Sequence, residues 1–113
     1  MSGEGREYDL AERTAVFGEQ CVSLARRVKL DAVTDPLVRQ MVRATTSVGA
    51  NYCEADEAGS KKEFRYRISL CARESRESKH WLRMLSKAVP EQEKQELRKL
   101  WRSYESYGKK QMN

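Results

Sequence analysis

Leu10, Thr14, Phe17, Cys21, Leu24 and Val28 follow one another at steps of four, three, four, three and four. That spacing holds an apolar-leaning stripe on one side of an α-helix, and it is the heptad seam along which helices pack side by side. The pattern returns three times. Val38, Met41, Thr45, Val48, Tyr52 and Ala55 form a second stripe. Phe64, Ile68, Cys71, Ser75, Ser78, Leu82 and Leu85 form a third, and Leu97, Leu100, Tyr104 and Tyr107 a fourth. No run alternates β-branched and polar residues as a half-buried strand would. The chain is expected to be all-α.

Local punctuation sets the helix ends. Asp9 with Glu12 three residues later is a capping pair, which predicts a first helix over about 10–29. Asp35 is expected to cap a second helix over about 36–58. Pro36 takes its first position, where a missing N–H is harmless, and Gly59 suits a left-handed position after its end. Ser60 and Glu63 form another capping pair for a helix over about 61–87, about 42 Å long at 1.5 Å per residue. Pro90 opens a helix over about 90–110. Glu91 and Glu93 lie near the positive end of its dipole, and Lys109 and Lys110 near the negative end. Short links between four such helices predict an antiparallel up-down-up-down four-helix bundle. Residues 1–8 are expected to be a flexible N-terminal tail and residues 9–113 one domain.

A chain of 113 residues is long enough for one modest core. No stretch of ~18 apolar residues offers a transmembrane span. The N-terminal "MSGEGREYDL" lacks the apolar segment of a secretory signal, so the expected compartment is the cytoplasm. Cys21, Cys53 and Cys71 are odd in number and lack the paired spacing of a zinc site. In a reducing compartment they read as small apolar packing residues.

The second helix is unusually thin. "VRATTSVGANYCEADEAG", Val42 to Gly59, carries small residues on nearly every side, with Asn51 and Glu54 among them. A monomeric bundle needs burial on one broad face only. Extra thin faces point to extra neighbours, hence to an oligomer. Asn51 and Glu54 then read as polar fasteners, needing Lys or Arg side chains of the third helix or backbone groups if buried, or else as a solvated pair near a helix end, where Glu54, Asp56 and Glu57 form an acidic cluster.

The third helix shows three further rows. Arg67, Leu70, Glu74, Glu77, Trp81 and Met84 mix carboxylates with large apolar groups. Trp81 by itself reads equally as a broadened intramolecular core or as a subunit contact, and the thin second helix shifts the row toward a subunit contact built from Glu74, Glu77, Trp81 and Met84. Arg39 and Arg43 are candidate mates for the two glutamates. Lys62, Arg65, Ser69, Ala72, Arg76, Lys79 and Arg83 form a row with no acid in it, and Arg73 lies on the outermost row with His80. Residues 60–87 carry nine Lys or Arg against three Glu, whereas everything before them sums to a net negative charge. Lys62, Arg65, Arg73, Arg76, Lys79 and Arg83 are therefore the candidate phosphate contacts. The plainer reading is a solvated surface that confers solubility. Without a recognition helix or an aromatic stacking platform, any nucleic-acid binding is expected to be weakly sequence-specific.

Catalytic patterns are missing. "ESKH", Glu77 to His80, matches half of a di-iron ligand set, but a single chain would need two such motifs and this one has one histidine. There is no Gly-rich phosphate loop and no nucleophile elbow. The chain is expected to be no enzyme, with neither metal nor cofactor.

Ala50, Asn51, Glu54 and Ala55, then Ser60, Lys61, Lys62 and Phe64, then Glu74, Glu77, Trp81 and Leu82 follow a known pattern. Together with "YDLAERTAVFG" they resemble the bacterial four-helix bundle proteins encoded in intervening sequences of large-subunit ribosomal RNA genes. The likeness runs from Tyr8 to about Leu85. It implies an antiparallel bundle assembled as a homopentameric ring, and kinship with the accessory variability determinant of diversity-generating retroelements, a basic pentamer that binds nucleic acid and a reverse transcriptase. The expected function is thus a non-enzymatic oligomer that associates with an RNA or DNA backbone through a basic face, as an accessory to a ribonucleoprotein or reverse transcriptase. The alternative is a protein-binding scaffold ring with no nucleic-acid role.

Overall fold

The computed structural model describes residues 9–91 and 94–102. Among them the chain is all helix and connecting turn, with no strand. Helix α1 spans Leu10–Arg27, α2 spans Thr34–Asp56 and α3 spans Lys61–Ala88. In a fourth segment, α4, residue 91 and residues 94–102 are helical. Tyr104, Tyr107, Lys109 and Lys110, and the N-terminal eight residues, lie outside the described residues.

The heptad positions build the core. Thr14, Phe17, Cys21, Leu24 and Val28 of the first stripe are buried, with Val38, Met41, Thr45, Val48 and Ala55 of the second. Cys71, Ser75, Ser78, Leu82 and Leu85 come from α3, and Leu97 and Leu100 from α4. The buried hydroxyls need partners in a dry interior. Thr14 donates to the carbonyl of Leu10 at 2.7 Å and Ser78 to that of Glu74 at 2.8 Å, so each is satisfied within its own helix.

Cross-helix contacts fix how the helices lie. Arg43 of α2 meets Glu74 and Glu77 of α3, the Cys71 thiol donates to the carbonyl of Val48, and Arg67 faces Glu54. Residue numbers thus rise along α2 as they fall along α3. Gly18 lies against Thr45 and Gly49 against Thr14, giving the same opposed order for α1 and α2. Arg27 pairs with Glu96 and ties α1 to α4.

Two capping pairs form as the sequence predicts. The Asp9 carboxylate accepts from the Glu12 amide and the Ser60 hydroxyl from the Glu63 amide, each at 3.1 Å. The start of α2 differs. It begins at Thr34 instead of Pro36, and Asp35 is not its cap. Asp31 organises the turn. Its carboxylate accepts from the amides of Val33 and Thr34, both at 2.8 Å. The Thr34 hydroxyl donates to the Lys29 carbonyl at 2.7 Å. Those bonds satisfy the first free amides of the helix one turn before the proline, and Asp35 is left to pair with Arg39 at 3.0 Å. Gly59 does not take a left-handed conformation, since none of the described glycines has positive φ. Its amide instead approaches the Glu63 carboxylate at 3.4 Å, joining the entry to α3.

Phe64 and Cys53 also depart from expectation. Phe64 is 44% exposed instead of buried. Arg67 stands opposite Glu54. Phe64, nearly one turn earlier on α3, therefore lies at the level where α2 ends. Cys53 is exposed, while Cys21 and Cys71 are the two thiols that pack in the core.

Candidate nucleic-acid interface

At 100° per residue, Lys62, Arg65, Arg73, Arg76, Lys79 and Arg83 fall within about 120° of the α3 circumference. Helix geometry, set by the Ser60 cap and the apolar positions opposite, is what gathers them. Lys62, Arg65, Arg73, Arg76 and Arg83 are exposed. Lys79 is half-buried, and its ammonium lies over the Trp101 ring at 5.1 Å from the centroid. This contact places the inner edge of the basic sector against α4.

Two sets of cations stand apart among the described residues. Arg27, Arg39, Arg43 and Arg67 each face a carboxylate. Lys62, Arg65, Arg73 and Arg83 have no ion pair among the described residues. Solvent counterions screen these charges, and a polyanion could replace those counterions. Arg73 to Arg83 spans about 15 Å along the axis, room for several phosphates of a nucleic-acid backbone.

Helix α4 extends this surface, which the heptad reading of α3 alone does not reveal. Lys94, Arg98 and Trp101 recur at steps of four and three, so they share the side of α4 next to α3. Arg98 and Lys94 both approach Glu91, at 3.3 and 3.7 Å. A cleft of about 340 Å³ opens between the two helices, lined by Leu82, Arg83, Ser86, Leu97, Arg98 and Trp101.

The mixed row of α3 turns toward α2. Arg43 bonds to Glu74 at 3.4 Å and also to Glu77. Arg39 does not join them, because Asp35 is nearer on its own helix. Trp81 packs against the core of its own chain, and Met84 is half-buried. The indole N–H of Trp81 and the Nε of Arg67 are buried with no hydrogen-bond partner among the described residues. Asn51 donates to the Ser47 carbonyl at 3.0 Å, one turn back, and Glu54 is exposed 3.9 Å from Arg67.

The thin face of α2 lies beside α1. Gly18, Val22, Thr46, Gly49, Ala50 and Cys53 line an open groove of about 580 Å³ there. Val16 and Val22 are more than a third exposed.

The buried thiols and the histidine lie outside this groove. Burial pushes the Cys21 thiol up to about 12 and the Cys71 thiol up to about 11. Both are therefore inert thiols at neutral pH. His80 is exposed, edge-on to Trp81 at 4.9 Å. Among the described residues no three His, Cys, Asp or Glu side chains converge as metal ligands, and no helix is long and apolar enough to cross a membrane.

The family model of the 23S rRNA-intervening sequence protein matches residues 6–111. The fold is similar to that of a crystal structure from Bacteroides thetaiotaomicron VPI-5482, a protein with unknown function from the S23 ribosomal protein family. The two share 20% identity with a TM-score of 0.70, over 90% of this chain and 94% of that one. No curated protein matches the chain.

Proposed function

Because this chain belongs to the 23S rRNA-intervening sequence protein family, we propose that it is a non-catalytic, self-assembling bundle of antiparallel, up-down-up-down helices that holds a nucleic-acid backbone. The observation that carries this reading is the sector of α3 where Lys62, Arg65, Arg73 and Arg83 are exposed with no ion pair among the described residues. The family's name, which ties its members to a ribosomal RNA gene, agrees with a polyanionic partner. Recognition is electrostatic and weakly sequence-specific, because the sequence carries no recognition-helix motif and no RNA-binding signature.

A salt titration of binding to structured RNA and to duplex DNA tests it. Affinity should fall steeply with salt, and the combined reversal Arg73→Glu, Arg76→Glu and Arg83→Glu should lower the log–log slope by about 2–3. Absence of binding at low salt sinks the proposal.

The α1–α2 groove favours a second element of the reading, assembly into a ring, with a pentamer as the expected form. Exposed Val22 beside a floor of Gly and Ala makes a surface that another helix can approach closely. If nucleic acid is ignored and the ring still forms, the scaffold reading replaces the nucleic-acid one. Sedimentation at one chain mass, 13.1 kDa, would exclude both rings.

A further inference from the structure

We propose that the cleft between α3 and α4 seats one unpaired base of a single-stranded nucleic acid, so that the strand is held by a base as well as by its phosphates. This rests on the nucleic-acid reading above and adds a subsite to it. The floor of the cleft is apolar, made by the buried Leu82 and Leu97, with the half-buried Trp101 as its aromatic wall. Its rim is cationic, with the exposed Arg83 from α3 and Arg98 from α4.

Two like charges bordering one cleft repel across it unless an anion sits between them. Arg98 is partly compensated by Glu91 at 3.3 Å, an exposed pair of little worth. Arg83 has no ion pair among the described residues. A ligand complementary to this site carries a flat apolar face and an oxyanion a few ångströms away. A nucleotide has that shape. The volume of about 340 Å³ lies at the small end of the ~300–1,000 Å³ usual for small-molecule sites, so it fits one base rather than a stacked pair. Double-stranded nucleic acid has no free base face to offer and should gain nothing from the cleft. Arg73 and Arg76 lie on the same side of α3, seven to ten residues before Arg83, where they can track the phosphates leading away from the seated base.

The test uses the full chain and two fluorescent single strands of about twelve nucleotides, one of thymidines and one of abasic sugar phosphates, compared by anisotropy. The protein should prefer the base-bearing strand by about fivefold or more. Trp101→Leu should bring that preference close to one and leave the abasic affinity and the salt slope unchanged. Ser86→Phe, which fills the cleft from its half-buried rim, should do the same if the leucine variant fails to fold by circular dichroism. In a Trp81→Phe background the remaining Trp101 emission should be quenched by the thymidine strand only. Equal affinity for both strands, or a preference that survives in either folded variant, overturns the base-seating site while the backbone reading stands. Failure of both strands to bind removes the reading beneath it.

Discussion

A β-carbon on Gly49 of α2 would lie 3.4 Å from the hydroxyl oxygen of Thr14 on α1. The next nearest atoms are backbone of the same turn of α1, at 3.6 Å. These are ordinary contact distances, so a methyl fits at Gly49. The thinness of α2 therefore serves two purposes. It lets α1 approach on one side, and it leaves the open groove on the outer side of the same pair.

Gly49→Ala should be neutral or raise stability by up to ~1 kcal/mol, because a helical glycine costs about that relative to alanine and the methyl meets no clash. Gly49→Leu should cost ~1–3 kcal/mol by overpacking against the α1 backbone. Chemical denaturation of the two variants measures both, and a strongly destabilised alanine variant would contradict the geometry.

Arg43→Ala should cost about 0.5–1 kcal/mol, since it leaves Glu74 half-buried without its ion pair while the Glu77 partner stays solvated. Because both bridges are internal to the chain, the variant should leave the sedimentation mass unchanged. A change of assembly state would place the glutamates at a subunit contact.

In the unassembled chain, thiol reagent at about pH 8 should label one cysteine rapidly, Cys53, and the other two only after denaturation, and assembly over the α1–α2 groove should slow the Cys53 reaction. Mass spectrometry of the labelled peptide identifies the site. Burial raises the Cys21 thiol from 9.0 to about 12 in the folded chain, so the folded state holds its proton where the unfolded state releases it. The stability linked to Cys21 is then whole below pH 9.0 and is lost progressively toward about 12. Cys21→Ala should make the alkaline limb of a denaturation-versus-pH curve shallower.

The amides of Thr34 and Val33 hold the Asp31 carboxyl below its usual range. A depressed carboxyl stabilises the fold above its unfolded pKa, and that contribution disappears as pH falls through the folded value. Asp31→Ala should lower the midpoint of thermal unfolding at neutral pH, and the difference from the parent should shrink in acid. Asp35→Ala, which removes only an exposed pair with Arg39, should move the midpoint much less.

Periodicity is what the sequence showed best. Cys21, Leu24, Met41, Val48, Leu82 and Leu85 fall on heptad stripes and are all buried. Local caps were equally legible at Asp9 and Ser60, since each needs only its own first turn. Asp31 escaped notice because its bonds to Val33 and Thr34 compete with the pattern of Asp35 and Pro36, which is also a valid helix start. The basic sector of α3 was legible as a charge run. The cleft with Arg98 and Trp101 was not, because it belongs to two helices at once, although the four-then-three spacing of Lys94, Arg98 and Trp101 marked a shared face.

The sequence by itself determined that this chain is helical, where most of its core residues lie, and that its positive charge collects on one element. Each of these depends on residues a turn apart, and spacing along a single helix governs them. The tertiary structure decided which of several possible neighbours covers each face. Phe64 sits on the core stripe and yet is exposed, because it lies where α2 ends. Glu74 and Glu77 are claimed by Arg43, and Lys79 is turned onto Trp101. Burial and pairing depend on what stands opposite at a given height, and residues far apart in sequence set that.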